Sequence, residues 1–411
     1  MQVTYRLYDI DSHLTTCKAT VLSCDFDTER NAYGIILDQT VFFPEGGGQL
    51  ADMGYIYTDT QAISNKQPDS LPDDCVRIFD VQISEDIITH YADKPLPAGT
   101  AVTCEIDWNR RFDFMQQHSA EHILSGLVYR NLGFHNVGFH LGLTETTLDF
   151  DKPLTEEQLN WLEEEANKAI WQNIAFDITF PDKETLKNLD YRSKKELTGE
   201  VRIVTLPGYD VCACCAPHVH HTGEIGLVKI IGAMTHRGGM RLTILCGSRA
   251  LHDYQTKQTS VEQISALLSA KQPEVAAAVA KAKEDQQALI YRINDLQKMV
   301  LEAELKSLPA PDTTEDVYLF QKDLDTKAIR NAVNDLCTRY TGYCGIFVGN
   351  DDTGYSFVLG SAAKDCRTVA AILRNTFGAK CGGSEKMIQG SVSAGEKTLR
   401  ERFEKRTLST I

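Results

Sequence analysis

The sequence predicts an α+β protein, and three observations lead there. Residues 1–90 hold short apolar or β-branched runs separated by polar turns, the pattern of several short strands. Residues 91–257 mix helical and strand periodicities around two clusters of histidine and cysteine. From Thr259 the apolar positions fall into a helical seam, and residues 311–411 then alternate helices with strands. The expected order is a β-rich, barrel-like N-terminal module (1–90) and a zinc-containing α+β domain (91–257). A long helical or coiled-coil segment (258–310) and a small α/β C-terminal domain (311–411) follow.

Bulk properties narrow the classes. A chain of 411 residues has room for two or three domains, and 42% hydrophobic with 24% charged residues is an ordinary globular balance. A net charge of −15 argues against a surface that coats nucleic acid, though not against a local basic groove. No apolar run reaches membrane-spanning length, so no membrane association is expected. Met1–Tyr5 lacks the apolar core of a signal peptide. The 12 cysteines are scattered, and they read as reduced thiols plus a metal cluster, which implies a cytoplasmic protein.

In the first module, Ala19–Cys24, Gly34–Leu37, Gly54–Tyr57 and Cys75–Ser84 are the expected strands of a barrel-like or Greek-key unit. Between them lies Phe42-Phe43-Pro44-Glu45-Gly46-Gly47-Gly48-Gln49. Three adjacent glycines are costly to order, and they permit close approach of backbone to a ligand or another segment. Thr40, Gln49 and Asp52 give this loop polar side chains suited to hydroxyls and amines. No Gly-Lys-Ser/Thr follows, so a phosphate loop is not expected.

Thr103–Ile106 should be a strand, and Gln116–Arg130 a helix, with Asp113 as its expected cap. His118 and His122 lie four apart, so one helical face presents both to one ion. The second cluster is Cys214-Cys215-Ala216-Pro217-His218, where Pro217 predicts a turn that can aim Cys214 and His218 inward. Three imidazoles and a thiolate suit zinc, as a structural or a catalytic ion. Spacing alone also admits Cys212 or Cys215 as the thiolate. Arg110 and Arg111 precede the helix, Lys194 and Lys195 form a later basic stretch, and Arg237 and Arg241 lie near a third turn. All six are candidate phosphate contacts. His140, flanked by Gly138 and Gly142, is a candidate pocket residue.

Thr155 and Gln158 have the spacing of a capping box for a helix running to Asn173. Phe176–Phe180, Val201–Leu206, Gly226–Ile231 and Arg241–Cys246 are expected strands. Val275, Val279, Ala282, Gln286, Leu289, Ile293, Leu296, Val300 and Ala303 alternate at spacings of four and three, a heptad-like seam that should stop by Pro309. It can pack in cis or pair two chains, which leaves a homodimer open. Beyond the Pro309–Asp312 linker, strands and helices alternate, and Gly378–Gly383 is read as a break.

These motifs resemble the editing domain of alanyl-tRNA synthetase and the freestanding alanyl-tRNA editing proteins. The likeness rests on Thr40 with the Phe42–Gln49 loop, His118-x-x-x-His122, Cys214-x-x-x-His218, Val137–Gly142, Thr222–Gly226 and Gly239–Leu242. Gly382, Gly383, Gln389 and Gly390 resemble the glycine-rich element of the C-terminal domain that synthetases share with DHH-type phosphoesterases, an element linked with nucleic acid. The resemblance implies a trans-acting deacylase, with zinc held by His118, His122, Cys214 and His218. The implied substrate is tRNA(Ala) wrongly charged with serine or glycine. It implies that Thr40 reads the serine hydroxyl, with Gln49 and His140 in the substrate site. Little chain precedes the glycine-rich motif, so no aminoacylation is expected. The family's Cys-Gly-Gly-Thr-His is here Cys-Cys-Ala-Pro-His, and Phe43 stands where tyrosine is common. The competing readings are a zinc-stabilised tRNA-binding module without hydrolysis and a zinc hydrolase for another small ester. A His-Glu-x-x-His protease motif is absent, because Glu121 adjoins the second histidine.

Overall fold

A computed structural model describes residues 3–58, 75–193, 201–308, 310–311 and 316–404. The chain divides into two compact units, Met1–Ser260 and Val261–Ile411.

The first unit begins with a closed, six-stranded antiparallel barrel. Around the barrel the strands run Thr16–Asp27, Ala32–Leu37, Ile87–Ala92, Val76–Ser84, Gly54–Thr58 and Ala101–Ile106. Every second residue is buried along Ile87–Ala92 and along Ala101–Ile106, as strands with one face on a core require. Val21, Ile35, Leu37, Ile56, Ile78, Ile88, Val102 and Cys104 fill the interior. Closure removes sheet edges and fixes the ends of the strands. Outside the barrel, Gln39–Thr40 pairs in parallel with Tyr5–Arg6 and launches the glycine-rich loop.

Helix α1, Trp108–Leu132, follows directly. It is capped by the Asp107 side chain, which accepts the Arg110 N–H at 3.1 Å, and it ends on left-handed Gly133. The expected cap, Asp113, instead sits inside the helix, where its carboxylate takes a bidentate bond from Arg249. Every residue from Phe114 to Val128 is buried. A helix wrapped on all sides has no solvent face to fill with charge. Its polar residues must therefore find partners inside, and the functional site consists largely of those partners.

Two sheets and a second helix surround α1. One sheet has the order Val228–His236, Gly239–Cys246, Thr146–Phe150, Asn136–Leu141. The other has the order Asp177–Thr179, Ile203–Leu206, Asp210–Ala213. Helix α2, Glu156–Trp171, carries the expected capping box of Thr155 and Gln158 and buries Leu162, Ala166, Ala169 and Ile170. A short helix, α3, spans Lys183–Asn188. Helix α4, Gly247–Leu268, starts well before Thr259, where the sequence pattern placed the change in character.

In the second unit, α5 is a single helix of 33 residues, Val275–Ser307, ending just short of Pro309 as expected. Leu301 and Leu305 pack into the core of the unit. Leu289, Ile293, Leu296 and Val300 of the heptad-like seam are exposed. A five-stranded sheet has the order Val317–Gln321, Cys344–Asn350, Gly354–Gly360, Met387–Val392, Lys380–Gly383, with only the first pair parallel. Helices α6 (Thr326–Arg339), α7 (Cys366–Phe377) and α8 (Glu396–Glu404) complete it. The stretch read as a break is partly a strand: Gly378 ends α7 in the left-handed conformation, and Lys380–Gly383 then pairs along the sheet edge. Backbone pairing needs no side chain, so glycines serve there.

Candidate metal centre

The two histidine and cysteine clusters meet. His118, His122, Cys214 and His218 bring one ligand atom each to within 4.8 Å of one another. Helix α1 supplies the first two, one turn apart. Strand Asp210–Ala213 delivers Cys214 at its end, and the irregular chain through Pro217 turns His218 back. Arg202 holds that turn, donating from Nη1 to the carbonyls of Cys214 at 2.8 Å and Ala216 at 2.9 Å.

Each imidazole is oriented through Nδ1. His118 Nδ1 lies 3.0 Å from Gln49 Oε1, His122 Nδ1 lies 2.9 Å from Asp210 Oδ2, and His218 Nδ1 lies 3.1 Å from Ser119 Oγ. Gln49 Oε1 and Asp210 Oδ2 can only accept, so Nδ1 donates on His118 and His122, whereas the Ser119 hydroxyl can donate to or accept from His218 Nδ1. His118 Nε2 is 3.5 Å from Cys214 Sγ, and His218 Nε2 is buried without a hydrogen-bond partner. An orphaned imidazole nitrogen beside a thiol and two further imidazoles fits a bound cation. Outer partners that fix the tautomer are the usual complement of such a site. The donor set, three nitrogens and a sulfur, matches zinc among the common ions.

Electrostatics select the thiolate. Burial pushes the Cys214 thiol up, but the charge of His118 and hydrogen bonds with His118 and His122 outweigh it and hold the thiol well below its ordinary value. Burial raises Cys212, and burial with the neighbouring Cys214 charge raises Cys215 to about 11. Of the three cysteines, Cys214 is thus the one primed to ligate. Burial opposes a charge on His122, yet Asp210 and Cys214 overcome it and lift the ring to about 9. His218 is held down to about 3 by burial and by the charge of His122. Asp210 is itself gripped by Arg192, at 2.7 Å on each oxygen.

The glycine-rich loop lies against this cluster. Gly46 and Gln49 exchange two backbone hydrogen bonds at 3.0 Å, with Gly47 at φ +61° and Gly48 at φ +84°. A Cβ on Gly47 would lie 3.3 Å from Cys215 Sγ, and one on Gly48 would lie 2.9 Å from the Phe139 ring. That ring in turn packs 4.7 Å from His118. Gln49 is buried, and its Nε2 has no partner. The amide therefore spends its oxygen on His118 and keeps a donor unspent.

Thr40 is also buried. His90 donates from Nδ1 to the Ile35 carbonyl at 3.0 Å, so its Nε2 accepts the Thr40 hydroxyl proton at 2.8 Å. Thr40 Oγ1 accepts the Phe42 N–H at 3.0 Å. His140 is exposed on Asn136–Leu141, opposite Thr147.

The basic candidates separate. Arg111 is fully buried: its guanidinium pairs with Asp52 and donates to the carbonyls of Ser12 at 2.9 Å and Val41 at 2.7 Å. It is a structural cation and cannot meet a phosphate. Arg110 is half-buried, bonded to the Ala51 carbonyl and stacked on Phe114. Arg241 is paired with Asp149 through two bonds of 2.6 Å. Arg237 is exposed at a hairpin tip. Lys194 and Lys195 lie outside the described residues. In the second unit, Gly382 pairs with Gln389 and Cys381 with Gly390, so the two halves of the glycine-rich element share one hairpin with Gly383.

Sequence reasoning missed Asp210, Ser119, Arg192 and Arg202. Ser119 adjoins a ligand and Asp210 lies four residues before Cys214, but nothing in the spacing marks either as a partner.

A family model described as "Threonyl and Alanyl tRNA synthetase second additional domain" matches residues 201–242, which contain Cys214 and His218. A second, "tRNA synthetases class II (A)", matches residues 3–110, the span of the barrel. An alanine–tRNA ligase of Ignicoccus hospitalis is 29% identical over 78% of this chain, and the aligned part is 34% of the ligase. The alanyl-tRNA editing protein Aarsd1-B of Xenopus laevis is 28% identical over 90% of this chain and 89% of its own length. The mouse protein Aarsd1 is 24% identical over 93% of each. The chain thus spans about a third of that ligase and most of the length of the editing proteins. It is homologous to the alanyl-tRNA editing proteins and to the editing and C-terminal portions of alanine–tRNA ligases.

Proposed function

We propose that the protein is a zinc-dependent aminoacyl-tRNA deacylase. It hydrolyses the ester that joins serine, or glycine, to the terminal ribose of mischarged tRNA(Ala). The observation that carries this reading is the convergence of three imidazoles, one with an unpartnered Nε2, and a cysteine sulfur beside a glycine-rich loop whose Gln49 retains an unspent donor. The chain's similarity to alanyl-tRNA editing proteins over most of their length supports it.

His118, His122, Cys214 and His218 would hold the zinc. When bound, zinc supplies a fixed positive charge that polarises or orients a substrate oxygen. The remaining work falls to the chain. Gln49 Oε1 fixes the His118 tautomer, and Gln49 Nε2 donates to a substrate acceptor. Gly47 and Gly48 let the acceptor end approach the backbone closely. His140, exposed on the strand that carries Phe139, would meet the substrate from solvent. Water adds to the ester carbonyl, the bond to the ribose oxygen breaks, and the products are the free amino acid and a tRNA hydroxyl.

Thr40 sets selectivity in this reading. A site that hydrogen-bonds a hydroxyl rejects the analogue lacking it, because a polar group is left unpaired. The Thr40 proton is committed to His90, so Thr40 offers only an acceptor or acts through the loop backbone at Phe42. Arg110, Arg237 and the hairpin of Gly382, Gly383, Gln389 and Gly390 are the proposed contacts with the tRNA. The exposed seam on α5 would take a second helix, and a homodimer is one way to supply it.

A closed set of four protein ligands favours structural zinc, which supports a second reading as a tRNA-binding module without hydrolysis. Release of amino acid from seryl-, glycyl- and alanyl-tRNA(Ala) separates the two. Serine release that is lost in His122→Ala supports the deacylase. Binding of charged tRNA by the zinc-loaded protein without any release supports the module. Equal turnover of serine and alanine esters would remove the role given to Thr40.

A further inference from the structure

A second group of metal-competent side chains lies outside the four-ligand centre. We propose that Asp11, His13 and His220, with Glu224 beside them, bind a second divalent transition-metal cation. The proposal does not depend on the deacylase reading.

The residues come from two segments far apart in sequence. Asp11 and His13 precede the first barrel strand, and His220 and Glu224 follow the turn that carries His218. Two imidazole–carboxylate pairs lie face to face. His13 Nε2 is 2.6 Å from Glu224 Oε2, and His220 Nε2 is 2.9 Å from Asp11 Oδ1. The two rings stack with centroids 3.7 Å apart and an interplanar angle of 27°. Ligand atoms of Asp11, His13 and His220 lie within 4.8 Å of one another.

Nitrogen–oxygen separations near 3 Å are also those between neighbouring ligands around a small cation. Metal–ligand bonds of ~2.0–2.2 Å at tetrahedral angles put ligand atoms roughly 3.3 Å apart. A cation can therefore replace the protons now shared within the two pairs, once the rings turn from stacked to inclined. With neutral imidazoles the four groups carry two negative charges, which a dication balances. The set lacks sulfur and is rich in nitrogen, so it suits zinc, cobalt or nickel better than magnesium or calcium.

Access and consequence follow from the same contacts. The side chains of Asp11 and His220 are 41% and 48% exposed, so an ion reaches them from solvent, whereas the first centre is buried. Ser12, between Asp11 and His13, donates from Oγ to the His218 carbonyl at 2.7 Å. A cation that ties Asp11 and His13 to His220 would brace the turn that presents His218. The Trp108 ring lies 5.2 Å from His13, close enough for its fluorescence to report occupancy by a paramagnetic ion.

The test uses the untagged full chain carrying one equivalent of zinc, titrated with cobalt(II) and, separately, with nickel(II). The expected result is a second equivalent that quenches tryptophan fluorescence and shows no thiolate-to-metal charge-transfer band, because no cysteine ligates there. The double variant His13→Gln/His220→Gln should keep the first equivalent and lose the second. If it does not fold, Asp11→Asn serves instead, with at least tenfold weaker second binding expected. A single equivalent in the parent protein overturns the proposal. So does a thiolate band from the second ion, or a second equivalent that survives these substitutions unchanged.

Discussion

Asp210→Asn removes the charge and one of the two acceptor oxygens that serve His122 and Arg192, with almost no change in shape. In the parent, Asp210 Oδ2 takes the His122 Nδ1 proton at 2.9 Å, and both oxygens take bonds from Arg192 at 2.7 Å. An asparagine has one acceptor oxygen and cannot serve both partners as an anion. Outer partners of metal-binding histidines are worth about 10–100-fold in metal affinity, or roughly 1.4–2.8 kcal/mol. The buried setting, with 2% of the Asp210 side chain and 10% of Arg192 exposed, puts the expected loss toward the upper end. Zinc affinity should be measured by chelator competition on protein that circular dichroism shows to be folded. Arg192→Gln should weaken zinc binding less, because the carboxylate still reaches His122. If folded Asp210→Asn lost less than threefold in affinity, or if Arg192→Gln lost more, the view that this carboxylate orients His122 would be refuted.

Two further outcomes follow from the geometry. Gly48→Ala places a Cβ 2.9 Å from the Phe139 ring at a backbone φ of +84°, so it should cost about 1–2 kcal/mol in denaturant melts and weaken zinc binding through the Phe139–His118 contact; a neutral result would mean that the loop moves freely. Burial lowers His90 from 6.5 to about 4, so the folded barrel refuses a proton that the unfolded chain accepts, and stability should fall by roughly 3 kcal/mol as pH drops from 6.5 through 4. His90→Gln should flatten that slope in thermal melts across this window, and an unchanged slope would place the acid sensitivity elsewhere.

The features legible in the sequence were those whose cause is local. The capping box of Thr155 and Gln158, the i, i+4 histidine pair and the end of the long helix before Pro309 are set by neighbours within a turn or two. The first half of α4 escaped notice because it is nearly all exposed, with only Ala250 buried, and so lacks an apolar stripe. Gly378–Gly383 looked like a break because glycine weakens strands in general, yet an edge strand is held by its backbone. The outer partners of the metal centre were hidden for a different reason. Asp210 and Ser119 are ordinary polar residues until folding buries them, and only burial turns their hydrogen bonds into constraints.

Arg110 and Arg111 show how far helical phase carries a sequence and where it stops. Arg110 and Arg111 look equivalent as a basic pair, but neighbours on a helix point about 100° apart. Arg111, Met115, His118 and His122 follow one another at spacings of four, three and four, so they share one stripe of α1. Any pair of histidines that must meet an ion inside the protein carries the rest of its stripe inside as well. Arg111 is buried with that stripe, and a buried guanidinium needs a carboxylate and carbonyl acceptors, here Asp52 with Ser12 and Val41. Arg110, one step around the helix, is the member of the pair left near the surface. Phase alone does not separate the pair, since Phe114, Gln117 and Glu121 on the stripe of Arg110 are buried too; what each guanidinium meets does, a buried carboxylate for Arg111 and only the Ala51 carbonyl and the Phe114 ring for Arg110.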